Sequence, residues 1–236
     1  NGVSRGLGIG GHHGTVGLGN LFAIDGGQRI VYTAHNNNGW FAPCVSTTDG
    51  EDNLVKLDGY RTWNATGVPT SSTVLYTISS NNDRPYAIWS INADGSGKTN
   101  IRAEDPDMTF APGMVMSPSG DRVAFTTGSR SNYDLSIMNV DGTGEVVLAG
   151  GEHNEQLRLG SPRGAWSGDG ERIVFSSDQS GEAYNVFVID ADGTDIGQLS
   201  SSPHEERWAS FSSDGNVAFL RDVTDDGIGR NDTLVL

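Results

Sequence analysis

One cysteine, Cys44, occurs in 236 residues, so no disulfide can form within the chain. Lysine is nearly as scarce, with only Lys56 and Lys98. Lys and Arg together number 15 against 30 Asp and Glu, a formal net charge of −15. That balance excludes nucleic acid as a partner, because phosphate binding needs a basic surface, and it opposes an anionic membrane surface as well. No apolar run reaches the roughly 18 residues of a membrane span. No stretch carries the 3.6-residue apolar period of an amphipathic helix either. Hydrophobic residues make up only 35% of the chain, which suits short strands separated by many turns. The chain opens at Asn1 without Met, as expected of either a fragment or a form processed after export, and export to an extracellular or periplasmic setting is the preferred reading.

What the chain has in quantity is glycine, 33 residues, and a pattern written five times. The clearest copy runs Trp166-Ser-Gly-Asp-Gly170, Arg172-Ile-Val-Phe175, Tyr184-Asn-Val-Phe-Val-Ile189, Asp190-Ala-Asp-Gly193 and Gly197-Gln-Leu199. The third reads Ser117-Pro-Ser-Gly120, Val123-Ala-Phe125, Leu135-Ser-Ile-Met138, Val140-Asp-Gly142 and Val146-Val-Leu148. The second apolar run of each copy ends at Tyr32, Tyr76, Phe125, Phe175 and Phe219, in steps of 44, 49, 50 and 44. The Asp-Gly pairs at Asp49, Asp94, Asp141 and Asp192 step by 45, 47 and 51. Such a pair between apolar runs signals a hairpin, because both residue types tolerate positive φ.

Two independent rulers thus give one period, and a period of this size with several short strands marks a β-propeller, one blade per copy. The expected fold is all-β: a propeller of five four-stranded blades in a single domain, 1–236. The repeats fall near 20–58, 59–103, 104–150, 151–201 and 202–236, after a closing segment 1–19. Within each copy, strand A is short, as in Leu21–Ile24, Met114–Ser117, Gly164–Ser167 and Trp208–Phe211. The second copy is the most degenerate, with Pro69-Thr-Ser-Ser-Thr73 as its A–B turn.

The run Ser-Pro-Ser-Gly-Asp-Arg-Val-Ala-Phe (117–125), with Trp-Ser-Gly-Asp-Gly-Glu-Arg-Ile-Val-Phe (166–175) and Asp-Ala-Asp-Gly (190–193), resembles the repeat of TolB-like β-propellers over residues 20–236. That resemblance implies a fold shared by periplasmic scaffold proteins, lids of serine peptidases and some polysaccharide lyases. It does not choose among them.

The fifth copy has strands A, B and C, and no strand D follows Thr233–Leu236. An edge carrying Leu234 and Leu236 is therefore a template for pairing. A short strand around Val3, Leu7 and Ile9 can complete that blade, in cis within one chain or in trans between copies. Donation in trans that does not close a ring makes a fibre.

Catalytic machinery is not apparent, and no catalytic residue is assigned. Five-bladed glycosidases of the arabinanase type place three carboxylates on the inner strands. Here strand A offers only Asp25, at its turn. No Gly-x-Ser-x-Gly elbow occurs, and the glycines of 6–14 do not sit between a strand and a helix. His12, His13, His153 and His204 fall in loops before strand A, beside Glu155 and Glu205, and could form a ligand or divalent-metal site at the channel mouth. Arg61, Arg158, Arg163 and Arg207 in such loops could hold sugar carboxylates. Asp222, Thr224, Asp226 and Asp232 have partial calcium-loop spacing, against a plain solvated hairpin loop. Asn64 and Asn231 open glycan sequons. The expected function is a secreted, non-enzymatic propeller that contacts proteins, copies of itself included. The alternative is a carbohydrate-binding or polysaccharide-lyase-like propeller with a His/Glu metal site.

Overall fold

The computed structural model describes residues 21–35, 41–48, 55–58, 62, 64–79, 86–105, 113–129, 132–157, 164–181, 183–222 and 232–236. Within them lie five small antiparallel sheets and no α-helix. The first sheet is β1 (Phe22–Ile24), β2 (Arg29–His35), β3 (Phe41–Thr47) and β4 (Val55–Lys56), in that order. The second is β5 (Ala65–Gly67), β6 (Thr73–Ser79), β7 (Tyr86–Asn92) and β8 (Thr99–Asp105). The third is β9 (Met114–Met116), β10 (Arg122–Ser129), β11 (Asn132–Asn139) and β12 (Val146–Ala149). The fourth is β13 (Glu155–Gln156), β14 (Arg172–Ser177), β15 (Asn185–Asp190) and β16 (Gly197–Gln198). The fifth has three strands, β17 (Glu206–Phe211), β18 (Val217–Asp222) and β19 (Asp232–Val235).

The sheets pack face to face in chain order, and the period-2 alternation of each strand decides which neighbour a side chain meets. Val123 and Phe125 of β10 join Leu75 and Ile88 of the second sheet, while Ala124 between them joins Trp166 and Phe175 of the fourth. Four apolar clusters result, one in each seam between consecutive sheets. Middle strands covered on both faces read as continuous apolar runs, as they must. Fully burying a large apolar side chain contributes about 1.5–3 kcal/mol. These seams therefore outweigh the half-exposed ion pairs around them, each worth about 0–1 kcal/mol.

The turns follow from side-chain chemistry. In Asn92–Ser96, Asn139–Thr143 and Asp190–Thr194 only the glycine has positive φ, +86° to +88° at Gly95, Gly142 and Gly193. The preceding aspartate stays in the usual region and accepts from the backbone N–H of Ser96, Thr143 or Thr194, each at 2.9 Å. This corrects the expectation that both residues of the Asp-Gly pair would use positive φ. Carboxylate capping, rather than left-handed tolerance, is what the aspartate supplies.

Arginines at the start of a sheet's second strand tie one sheet to the next. Arg29 donates to Ser72 Oγ at 2.8 Å, and Arg122 donates to the Gly170 carbonyl at 2.8 Å while lying over the Trp166 ring. Arg172 lies over Phe211 in the same manner. At the inner edge, a Cβ on Gly67 would come within 2.1 Å of Ile24 Cγ2, so only glycine lets β5 approach β1 this closely.

Candidate functional site

The inner edge of the fourth sheet is shared by two segments. Residues 165–167 run along β14 where the sequence placed strand A: the Val174 N–H donates to the Ala165 carbonyl at 2.7 Å, the Ser167 N–H donates to the Arg172 carbonyl at 2.9 Å, and Trp166 bridges Ile173. β13, which the sequence did not announce, extends the same edge, with Glu155 opposite Ser177 and Gln156 opposite Ser176. Glu155, expected in a loop, is thus a strand residue and only 1% exposed. Its Oε1 accepts from Ser177 Oγ at 3.2 Å, and its Oε2 has no hydrogen-bond partner among the described residues. Burial is the main cause that pushes its pKa up from 4.5 to about 7, and the nearby charges of Asp134 and Asp178 add to it.

The fifth sheet repeats the arrangement with a different outcome. Glu206 opens β17 opposite Arg221, the register that Glu155 and Ser177 occupy one sheet earlier. It is fully buried, accepting from Arg221 Nε at 2.7 Å and from the Ser200 hydroxyl. Its backbone N–H donates to the Tyr184 carbonyl at 2.7 Å, which joins the fourth and fifth sheets. The sequence reading singled out Glu205 instead. That residue holds Arg207 at 2.6 Å, and Arg207 stacks over Tyr184, whose hydroxyl accepts from Gln156 Nε2 at 2.8 Å. Two carboxyl groups therefore begin inner strands where none but Asp25 was foreseen.

Beside them β17 bulges between Arg207 and Ser210, and Trp208 takes φ +64°. Positive φ in a bulky residue is a true outlier. A shallow cleft beside the bulge lies between Trp208 and Ala209 on one side and Gln156, Val174 and Ser176 on the other.

Two of the four histidines of the expected site, His153 and His204, are among the described residues. His153 is half exposed, with Nδ1 at 3.7 Å from Asp178 Oδ1. His204 precedes Glu205, and its N–H donates to Ser202 Oγ. His12 and His13 lie outside the described residues, as do Arg61, Arg158 and Arg163. Among the described residues no three His, Cys, Asp or Glu side chains converge as ligands of one ion. Of the calcium-loop set, Asp222 and Asp232 are cross-strand partners at the base of the β18–β19 hairpin, and Thr224 and Asp226 lie outside the described residues. Asn64 is fully buried, which overturns its sequon as a glycan acceptor in the folded chain, and Asn231 is not described. Cys44 is a buried thiol.

At the far side of the fifth sheet, β19 pairs with β18 alone among the described residues. Leu234 is 61% and Leu236 92% exposed there, whereas Val235 between them packs against the seam with the fourth sheet. Val3, Leu7 and Ile9, the other half of the expected assembly pair, lie outside the described residues. No described helix is long and apolar enough to cross a membrane.

Solved structures share this succession of sheets. A TolB-type protein of Agrobacterium tumefaciens superposes with a TM-score of 0.66 at 16% identity, covering 90% of this chain and 72% of its own. TolB from Acinetobacter baumannii gives 0.62 at 16%, covering 89% of this chain and 50% of its own. The fold is that of a TolB-like β-propeller. An oligogalacturonate lyase in complex with manganese gives 0.65 at 12%, covering 92% of this chain and 63% of its own. The chain thus spans half of the Acinetobacter propeller protein and under two thirds of the lyase. No protein-family model matches the sequence, and neither does any curated protein. At these identities the likeness carries the propeller fold, and function must be argued from the residues.

Proposed function

We propose that this chain is a non-enzymatic, five-bladed propeller that works in an extracellular or periplasmic setting through protein–protein contacts, with the edge of its fifth blade as the contact. One observation carries the reading: among the described residues β19 is the last of three strands in the fifth sheet, with Leu234 and Leu236 exposed beside it. A strand edge offers a row of backbone donors and acceptors that an extended segment completes, and alternate side chains then set which segment fits. The proposed occupant is the stretch Val3–Ile9, from the same chain or from a neighbouring copy. Supplied by a neighbour, it would link copies head to tail into a fibre.

The likeness to TolB structures supports a binding role, and the likeness to an oligogalacturonate lyase is what a carbohydrate reading would rest on. The described residues favour the first. The carboxyls at the start of β13 and β17, Glu155 and Glu206, are buried rather than presented to a substrate.

Light scattering on the whole chain and on a chain lacking residues 1–10 tests the proposal. Large species that become monomers on deletion, a little lighter than the 25.0 kDa of the whole chain, mean strand donation between copies. A monomer that keeps its mass but loses stability on deletion means that the edge is filled in cis. Deletion that changes neither mass nor stability overturns Val3–Ile9 as the occupant.

A further inference from the structure

The outer strand of the third sheet is exposed, apolar and uncharged. β12 ends that sheet and pairs with β11 alone among the described residues, so its outer edge carries a row of backbone donors and acceptors. Val146 is 51% and Val147 55% exposed on it. Successive strand residues point to opposite faces, so the edge is apolar on both. The other outer strands of the first four sheets are built differently. β4 and β16 have two residues each, too short to template a further strand. β8 has seven, but it carries Arg102 and Glu104, charges of the kind that keep edge strands from pairing. β12 has four residues and no such guard.

The rim beside β12 departs from its neighbours in the same direction. The third residue after each turn glycine stands at the rim of the seam with the preceding sheet. Lys98 holds that place in the second sheet and bonds Asp58 of the first at 2.6 Å. Glu145 holds it in the third, where both its oxygens accept from Arg102 Nε of the second at 3.0 Å. In the fourth sheet the place falls to Ile196, 49% exposed. The turn before it lies against β12, since a Cβ on Gly193 would stand 3.6 Å from Leu148 Cδ2. Two rims are thus closed by ion pairs, and the third is bordered by exposed aliphatic side chains. A single exposed aliphatic residue needs no explanation, but a group of them on one rim marks a contact.

The chemistry of the edge decides what fits it. A strand added there meets Val146 on one face and Val147 on the other, so it must be short, uncharged and apolar at successive positions. β12 of a second copy meets all three conditions. The net charge of −15 opposes the approach of another copy, and opposes it least at a strand that carries no charge. A two-fold axis perpendicular to the sheet at Val147 sets Val147 opposite its own counterpart and Val146 opposite Leu148. Glu145 then falls opposite Ala149, and its pairing with Arg102 keeps an uncompensated charge out of the joint.

We propose that β12 is a self-association edge, at which two copies pair their β12 strands antiparallel about that axis and join two four-stranded sheets into one. The contact is separate from the edge of the fifth sheet. It is isologous and closes at two copies, whereas donation at β19 can run on without closing. So small a contact gives a reversible dimer that forms as concentration rises.

Sedimentation velocity on the full chain carrying Leu234→Lys, which blocks the fifth-sheet edge, reads the β12 contact alone. The series runs up to about 1 mM, where even weak affinities are populated. The expected mass rises from 25.0 kDa to twice that value with concentration, and adding Val147→Lys abolishes the rise. A mass of 25.0 kDa at every concentration without Val147→Lys overturns the proposal, as does a doubling that persists with it. Val147 is more than half exposed, so the lysine is tolerated by the fold. Amide hydrogen exchange on the wild type needs no variant at all. The 146–149 amides should gain protection with concentration, and no gain up to the highest concentration overturns the contact even if the β19 edge proves to be occupied.

Discussion

The indole of Trp166 crosses from the fourth sheet to the third and donates its Nε1–H to the carbonyl oxygen of Val115 at 3.0 Å. Trp166 is 2% exposed and also carries the Arg122 guanidinium on its ring, so one side chain serves as packing, donor and platform for the same seam. Phenylalanine keeps an apolar ring there but removes the N–H. Trp166→Phe should cost about 1–3 kcal/mol, the range for losing a buried hydrogen bond. Trp166→Ala should cost about 3–5 kcal/mol, because a cavity is added. Urea unfolding followed by circular dichroism checks both, and a Phe variant as stable as wild type would show that the bond contributes nothing net.

Glu206 and Arg221 make the second test. Arg221 supplies both Nε and Nη2 to a carboxylate that is 0% exposed, at 2.7 and 2.6 Å. Removing one partner of a buried pair leaves an uncompensated charge, which typically costs about 3–5 kcal/mol. Arg221→Met should fall in that range. Glu206→Gln combined with Arg221→Met should recover a substantial part, since the buried charge is then gone. A double variant no better than Arg221→Met would mean that the arginine acts through packing over Phe219 instead.

How far the fold could be read from the residues depends on strand length. Phe125, Phe175 and Phe219 hold one register because each sits in a run of six or eight strand residues, where a period of two is visible. β13 has two residues, Glu155 and Gln156, and no periodic pattern can announce a strand that short. Its polar sequence resembles a loop, and its burial becomes evident only once Ser177, 22 residues later, is brought opposite. The burial of Glu206 was hidden too, since its partner Arg221 lies 15 residues on. The Asp-Gly turns were legible as turns, yet which residue bends was not. Gly142 at φ +87° is set by the chain, and Asp141 by its bond to Thr143.

Stability should peak in mildly acidic solution, because two sets of carboxyl groups pull in opposite directions. Hydrogen bonds from Ser96, Thr143 and Thr194 hold Asp94, Asp141 and Asp192 below their usual 3.8, and Ser119, Ser167 and Ser212 do the same for Asp121, Asp169 and Asp214. Lowered values give stability that is present above 3.8 and lost as pH falls. Glu155 is raised, so its contribution is present below 4.5 and lost as pH rises through about 7. The maximum should therefore lie at about pH 4–5, and the Glu155 loss should amount to roughly 3 kcal/mol. Urea midpoints from pH 3 to pH 8 test this, with Glu155→Gln expected to flatten the limb between pH 5 and pH 7. A wild-type midpoint that climbs across that limb would contradict it.

The exposed edge gives the last prediction. Leu234 is cross-strand partner to Leu220 on β18 and 61% exposed, so replacing it should disturb little within the folded chain. Surface changes of this kind usually fall within about 0.5 kcal/mol. Lysine on an edge strand opposes the addition of another strand, because its charge would have to be desolvated under the incoming backbone. Leu234→Lys should therefore leave the urea midpoint near wild type while lowering the mass seen by light scattering, provided that the added strand comes from a second copy. If the strand comes from the same chain, the mass stays at 25.0 kDa and the midpoint drops instead. An unchanged mass together with an unchanged midpoint would mean that no strand is added at β19, and the contact surface would have to be sought elsewhere on the propeller.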